Sequence, residues 1–273
     1  MSLFFILVFI LQSCEYKAKK NAQALNKTVE KQEINQIQNV PDTIKIPIPT
    51  DEIVDEFYQA IFDIDNKKVR EMLETKFPAN YQPKNKIAPL QAVIWTSDNL
   101  YITRLLVEGG AKINDKEKPL TVVAAEYGRL GILEYLIEKG GDIKNNEAFN
   151  KAGFHQFYDC AKLLLLNGAN QVRGDLRGKF WVYEQAVNKA DYEALNKLAL
   201  TDEELNHNNC NGETALIIAV KQNNLEMVEY LLKRKVDKNK KETFDCGDKI
   251  HYGKTPVHIA RENDFQKITA LLE

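Results

Sequence analysis

A pattern that returns about every 33 residues constrains the fold of this chain more than any other feature. Small residues suited to close helix contact occur at seven positions: Ala60, Val93, Ala124, Ala152, Ala186, Ala219 and Ala260. A large apolar residue follows each of them twelve positions later: Met72, Leu105, Leu136, Leu164, Leu198, Leu231 and Leu272. A helix pair of this length cannot bury its apolar face alone, so the pattern predicts an array of stacked all-α repeats.

Two segments indicate the kind of repeat. One reads GETALIIAV from Gly212, and the other reads GKTPVHIA from Gly253; each precedes a second helix rich in leucine. Both resemble the ankyrin consensus GxTPLHxA, in which His258 would hydrogen-bond between the turn and the helix. The resemblance implies an all-α ankyrin-repeat solenoid of about seven helix-turn-helix units with finger loops, over residues 51–273. A degenerate repeat is expected near residues 147–175, where the first helix is weak.

The glycines after the second helices fit this scheme. Gly109-Gly110, Gly140-Gly141 and Gly168 come directly after helix two of their repeats. A residue with positive φ ends a helix at little cost when it is glycine. We therefore expect these glycines to terminate the second helices.

The first fourteen residues resemble a lipoprotein signal peptide. An apolar run from Leu3 to Leu11 ends at the sequence LQSC, and it is shorter than the roughly 20 residues that a membrane-spanning helix needs. The resemblance implies a lipidated N-terminus at Cys14 and a location at the bacterial cell envelope, periplasmic or associated with the outer membrane. An uncleaved apolar N-terminus with an ordinary Cys14 is the alternative.

Residues 15–50 are predicted to form a flexible tether. They are rich in Lys, Gln and Asn and carry Pro41, Pro47 and Pro49, a composition that does not bury enough apolar surface to order a core. Within the tether, Asp42-Thr43-Ile44 resembles an O-glycosylation acceptor of some envelope bacteria. The tether would let the repeats stand clear of the membrane.

The ankyrin resemblance also implies where a partner binds. Partners of this family usually touch the finger loops and the two positions after the small pair of helix one. The first four repeats each place an aromatic residue there, namely Phe62, Trp95, Tyr127 and Phe154, whereas the last three place only polar or charged residues. Aromatic side chains are common binding anchors, so one interpretation is a concave binding row. The alternative is that some of these rings fill the core, Phe154 above all.

The connection from Asp237 to Lys254 is longer than the repeat period requires. Its sequence predicts an extended finger hairpin with a turn at Asp245–Asp248, and we expect Phe244, His251 and Tyr252 to make a secondary contact with the partner. A tolerated surface insertion is the alternative.

The cysteines and histidines predict neither a metal site nor a redox site. The four cysteines are too far apart for a CxxC motif, and the histidines share no ligand spacing. Cys160 falls at an apolar position and is expected to be buried. Cys210 and Cys246 lie in successive loops, so a disulfide and two free thiols both remain open.

The leading functional hypothesis is an envelope-anchored protein–protein interaction module. The sequence contains no recognised catalytic motif, and we expect no enzyme activity, no cofactor and no small-molecule substrate. The formal net charge of -2 gives no overall field for polyanions, so nucleic acid is not an expected partner. The family resemblance implies a protective role, through binding a toxin or supporting a periplasmic enzyme. The alternatives are a passive envelope spacer and an enzyme with an unrecognised site, which would need a polar pocket with perturbed titrating groups.

Overall fold

The computed structural model describes residues 48–75, 77–115, 119–243 and 253–273. The chain divides into two compact units, Met1–Ile113 and Asn114–Glu273. Every regular element within the described ranges is an α-helix. The predicted tether, except its last three residues, and the segment 244–252 lie outside these ranges.

The first unit holds two stacked helix pairs. Its helices are α1 (Asp51–Phe62), α2 (Asn66–Thr75), α3 (Pro89–Thr96) and α4 (Leu100–Glu108). Helix α1 packs on α2 and α3, and α4 packs on α2 and α3. The rings of Phe57 and Phe77 are fully buried and stack with their centroids 4.0 Å apart.

The second unit continues the same scheme over five helix pairs. Its paired helices are α5 (Leu120–Glu126) with α6 (Leu130–Glu138), α7 (Ala148–Phe154) with α8 (Tyr158–Leu166), α9 (Arg177–Asn188) with α10 (Tyr192–Lys197), α12 (Ala215–Lys221) with α13 (Leu225–Lys233), and α14 (Pro256–Glu262) with α15 (Gln266–Leu272). A short extra helix, α11 (Asp202–Leu205), precedes α12.

Burial confirms the predicted register of the repeats. Each of the seven small residues and each of the seven large apolar residues has an exposed fraction of 4% or less. Repeat five departs from the pattern in one respect: Leu198 is buried but follows α10, with extended backbone angles, because that helix is only six residues long.

Side chains that cap the helices explain where several of them begin. The threonines of the two consensus-like segments, Thr214 and Thr255, accept hydrogen bonds from the backbone N–H groups of Ile217 and His258, which satisfies donors that the first helical turn leaves unpaired. Thr255 Oγ1 also lies 2.5 Å from His258 Nδ1. The predicted contact between turn and helix at His258 is therefore confirmed.

Positive φ angles end the helices where the sequence predicted them, and also where it did not. Gly110, Gly140 and Gly168 have φ angles of 96°, 82° and 76°, as expected for C-terminal glycines. The turns between paired helices use the same conformation mostly without glycine: Ile64, Gln156, Ala190, Asn223 and Asp264. These turns carry backbone strain that glycine would avoid.

The degenerate repeat has an intact first helix, α7, because two glycines let it approach α9 closely. A Cβ atom on Gly153 would lie 2.3 Å from the backbone oxygen of Gly178, and a Cβ on Gly178 would lie 2.1 Å from the backbone oxygen of Asn150. Helix two of this repeat buries Cys160 to an exposed fraction of 2%. The prediction of a buried Cys160 is confirmed, and the weakness of α7 in the sequence reflects close packing.

Candidate partner-binding surface

The four aromatic residues at the predicted binding positions are partly exposed. In the first unit, the exposed fractions of Phe62 and Trp95 are 53% and 39%; in the second, those of Tyr127 and Phe154 are 41% and 43%. Each residue lies at or next to the C-terminal end of the first helix of its repeat. None of the four is a core residue, which removes the core-filling interpretation, including for Phe154.

Phe154 has a cationic neighbour. The guanidinium carbon of Arg177 lies 4.9 Å from the centre of the Phe154 ring, a distance suited to a cation–π contact. Arg177 is itself held by Asp175, whose carboxylate accepts bonds of 3.0 and 2.9 Å from Nε of the arginine. The surface around Phe154 therefore combines an aromatic ring with a fixed ion pair.

The last three repeats carry polar or charged residues at the same positions. Gln222 donates a hydrogen bond of 2.7 Å from its side-chain amide to Asn188 Oδ1, so these positions in repeats five and six are in contact. Asn263 lies at the corresponding position of the last repeat and helps to line the groove described next. This face is polar and internally hydrogen-bonded.

A charged groove of about 490 Å³ lies between α12 and α14. Its lining residues are Lys221, Glu242, Gly253, Lys254, Ile259, Glu262 and Asn263. Lys221 Nζ is 2.5 Å from a carboxylate oxygen of Glu242 and 2.7 Å from one of Glu213. Burial disfavours the charge of Lys221, but the hydrogen bonds from these two carboxylates outweigh it and raise its pKa.

The base of the predicted finger closes one side of this groove. The backbone N–H of Glu242 donates a 3.0 Å bond to the backbone oxygen of Lys254, so the chain leaves and re-enters the repeat at one point. A Cβ atom on Gly253 would lie 1.9 Å from the backbone oxygen of Glu242, and this approach explains the consensus glycine at that position. The finger residues Phe244, His251 and Tyr252 lie outside the described residues, as does Cys246; Cys210 is exposed.

The anchoring predictions also fall outside the described residues. Cys14, the tether through Pro47 and the acceptor-like Thr43 are among the residues that the structure leaves undescribed. Over the ranges given above, none of the helices combines the length and the apolar character needed to cross a bilayer. In those same ranges, no group of three or more His, Cys, Asp and Glu side chains is arranged to hold a metal ion.

A local concentration of positive charge was not predicted from the repeat pattern or the motifs. Six of the nine residues from Lys233 to Lys241, which begin at the last residue of α13, are basic. The near-neutral total charge concealed them, although counting charges in short windows would have found them.

Comparisons with known proteins identify the repeats. The family model for ankyrin repeats (3 copies) matches residues 184–273. The crystal structure of the human ASB11 ankyrin repeat domain has a TM-score of 0.51 with this chain at 16% sequence identity, covering 80% of this chain and 97% of that one. An L-asparaginase of Dirofilaria immitis is 25% identical over 150 residues, which are 54% of this chain and 24% of that protein, so the chain matches about a quarter of that relative's length. The chain therefore has an ankyrin-repeat fold, and its residues 184–273 are ankyrin repeats.

Proposed function

We propose that this protein is a binding scaffold that holds a partner protein at the bacterial cell envelope through a lipid on Cys14. The observation that carries the binding role is the repeated exposure of large aromatic side chains at equivalent positions: Phe62 and Trp95 in one unit, Tyr127 and Phe154 in the other. Apolar side chains exposed at regular positions favour association, and aromatic residues dominate binding free energies at protein interfaces.

The ankyrin fold supports a scaffold more than an enzyme, because it is typically a non-enzymatic binding fold. The enzyme alternative requires a polar pocket with suitably perturbed groups, and the groove between α12 and α14 is the polar candidate. A lysine that acts as a base or nucleophile needs a lowered pKa, whereas the pKa of Lys221 is raised by Glu213 and Glu242. The groove is better suited to recognising charge than to proton abstraction.

The anchoring proposal depends on the LQSC sequence and on the short apolar run before it. Metabolic labelling with a fatty-acid probe should mark the wild-type protein, and Cys14→Ala should abolish the label. A variant that keeps both the label and its membrane retention would refute acylation at this cysteine. A protective role, by binding a toxin or supporting a periplasmic enzyme, belongs to the same proposal.

Binding is tested by removing one exposed ring. Trp95→Ala should weaken affinity for a partner isolated by cross-linking about thirtyfold, since loss of an aromatic anchor costs about 2 kcal/mol. Tyr101→Ala is the matched control, because it removes an aromatic ring from the same repeat but from its second helix. If both variants bind equally well, the aromatic positions are not the contact; if no specific partner is captured, the passive spacer becomes the better explanation.

A further inference from the structure

A dense cluster of positive charge begins at the last residue of the second helix of repeat six and continues into the loop after it. The basic loop, Lys233–Lys241, contains six basic residues and one acidic residue, Asp237. The rest of the array is slightly acidic overall, so this cluster is a local feature. Like charges this close repel one another, and a bound anion would relieve that repulsion.

Hydrogen bonds hold the basic loop in a defined conformation. The backbone N–H of Asp237 donates a 2.7 Å bond to Asn206 Oδ1, and the N–H of Asn239 donates a 2.9 Å bond to Asp237 Oδ1. Val236, in the middle of the loop, is buried with an exposed fraction of 7%. A loop tied down at these points presents its charges with little further loss of entropy on binding.

Several lysines of the loop are not neutralised. Lys233 and Lys235 are exposed and Lys240 is half-buried, and none of the three forms an ion pair with another described residue. Some other lysines of the same unit are paired: Lys162 Nζ, for example, lies 2.8 Å from Asp191 Oδ2. The basic loop therefore retains positive charge that the protein itself does not compensate.

The loop leads directly into the charged groove. Glu242 follows Lys241 in the chain and lines the groove, whose lining also includes Lys254, with a side-chain exposure of 53%. The exposed pair between Lys254 and Glu262 is the kind of surface ion pair that contributes little to stability, about 0 to 1 kcal/mol. The uncharged polar groups of a ligand chain could therefore displace this pair at small cost.

We propose that the basic loop docks an acidic polypeptide segment of the partner, whose chain continues into the groove between α12 and α14. This inference builds on the proposed function and names the chemistry of the partner. A short acidic segment fits because its negative side chains would lie only on the basic loop, and the uncharged part of the same chain would pass the carboxylates of Glu242 and Glu262. A continuous polyanion, whether an anionic bilayer or a nucleic acid, would extend over those carboxylates and be repelled by them.

Fluorescence anisotropy with the purified full chain tests the proposal. The probe is a labelled oligo-glutamate peptide of about twelve residues, with oligo-glutamine of equal length as its neutral counterpart. Lys235→Glu/Lys240→Glu should weaken binding of the acidic peptide at least about tenfold. The matched control, Lys189→Glu/Lys267→Glu, alters two exposed lysines outside the loop and should change it less than about twofold.

In the binding assays with model ligands, three results would overturn the inference: no binding of the acidic peptide, equal losses in both charge-reversed variants, or tighter loop-dependent binding of phosphatidylglycerol vesicles or single-stranded DNA. Partner binding that depends on Trp95 but not on the basic loop would also refute it, while leaving the proposed function intact. Peptide binding through the loop, with partner binding unaffected by Trp95→Ala, would support the inference and count against the aromatic contact.

Discussion

The side chain of Lys179 lies almost completely inside the second unit, with an exposure of 2%. Its Nζ is 2.8 Å from both carboxylate oxygens of Glu204, whose side chain is 15% exposed. The same carboxylate accepts a 2.8 Å bond from the N–H of Thr201 and completes a capping box at the start of α11. One ion pair therefore ties α9 to the extra helix before repeat six.

Glu204→Gln should destabilise the protein substantially. The substitution keeps the side-chain size and an oxygen for the capping bond, but it leaves the Lys179 ammonium buried without a counter-charge. Breaking one side of a buried pair costs about 3 to 5 kcal/mol. Because Glu204 is partly exposed and the new amide still accepts one bond from Lys179, we expect about 2 to 3 kcal/mol.

Urea unfolding followed by helical circular dichroism measures this cost. With an m value of about 2 kcal/mol/M, the midpoint should fall by about 1 to 1.5 M. Lys254→Met is the control, because it breaks a pair in which both side chains are about half-exposed and should cost less than about 1 kcal/mol. The double variant Lys179→Met/Glu204→Gln should lose less unfolding free energy than the sum of the losses in the two single variants, because the two residues stabilise the protein as a pair.

The pH dependence gives a second readout of the same pair. Burial raises the pKa of Glu204, but the hydrogen bonds from Lys179 and Thr201 and the charge of Lys179 outweigh it, so the folded pKa lies below the ordinary value of 4.5. The pair's stabilisation is therefore present above about pH 4.5 and is lost as pH falls through the lowered folded pKa. The stability gap between wild type and Glu204→Gln should narrow in acid; a gap no larger than that of Lys254→Met at neutral pH would refute the reasoning.

Three further predictions follow from backbone and ring geometry. Gln156→Gly should stabilise the protein by about 0.5 to 1 kcal/mol in urea unfolding, because Gln156 has a φ angle of 64°; a loss of stability would show that its side chain matters more than its backbone. Gly253→Ala should cost more than Gly140→Ala, whose Cβ would meet no atom within 4 Å and which costs only the strain of its φ angle of 82°, about 1 to 2 kcal/mol. It should also speed proteolysis near residue 253; equal costs would mean that the base of the finger shifts aside. His207 stacks on Phe180 at 4.1 Å, and its pKa is lowered from 6.5, first by burial and then by Lys240. The neutral, stacked ring of His207 therefore stabilises the fold above about pH 6.5, and this stabilisation is lost as the pH falls through the lowered folded pKa of His207. An NMR titration that gave an unshifted pKa for His207 would contradict this prediction.

The repeat architecture could be predicted because it depends on local residue types. A small residue such as Ala219, followed twelve positions later by Leu231, reports directly that two helices pack closely and that the second closes the layer. The capping role of Thr255 and the contact of His258 were equally predictable, since both partners lie within one turn of helix.

The degenerate repeat shows where this local reasoning stops. The glycine in α7 reads as a weak helix in the sequence, because glycine costs about 1 kcal/mol in a helix interior. Gly153 is explained by another glycine, Gly178 of the next repeat: because both lack a side chain, the two helices can approach closely at this point. The sequence pattern of one repeat does not show which residue of the next repeat packs against it.

The amino-acid sequence alone determined the repeat fold and its register, because both follow from residue size and spacing along one repeat. The partner-binding positions remain a prediction that the ankyrin resemblance implies. The tertiary structure decided that the rings of Phe62, Trp95, Tyr127 and Phe154 remain partly exposed, which helix packing controls. It also decided that Lys179 meets Glu204 across 25 residues, and that the lysines Lys233, Lys235 and Lys240 lack an ion-pair partner among the described residues. Exposure and charge compensation depend on which distant side chains are brought together, and residue spacing along the chain does not contain that information.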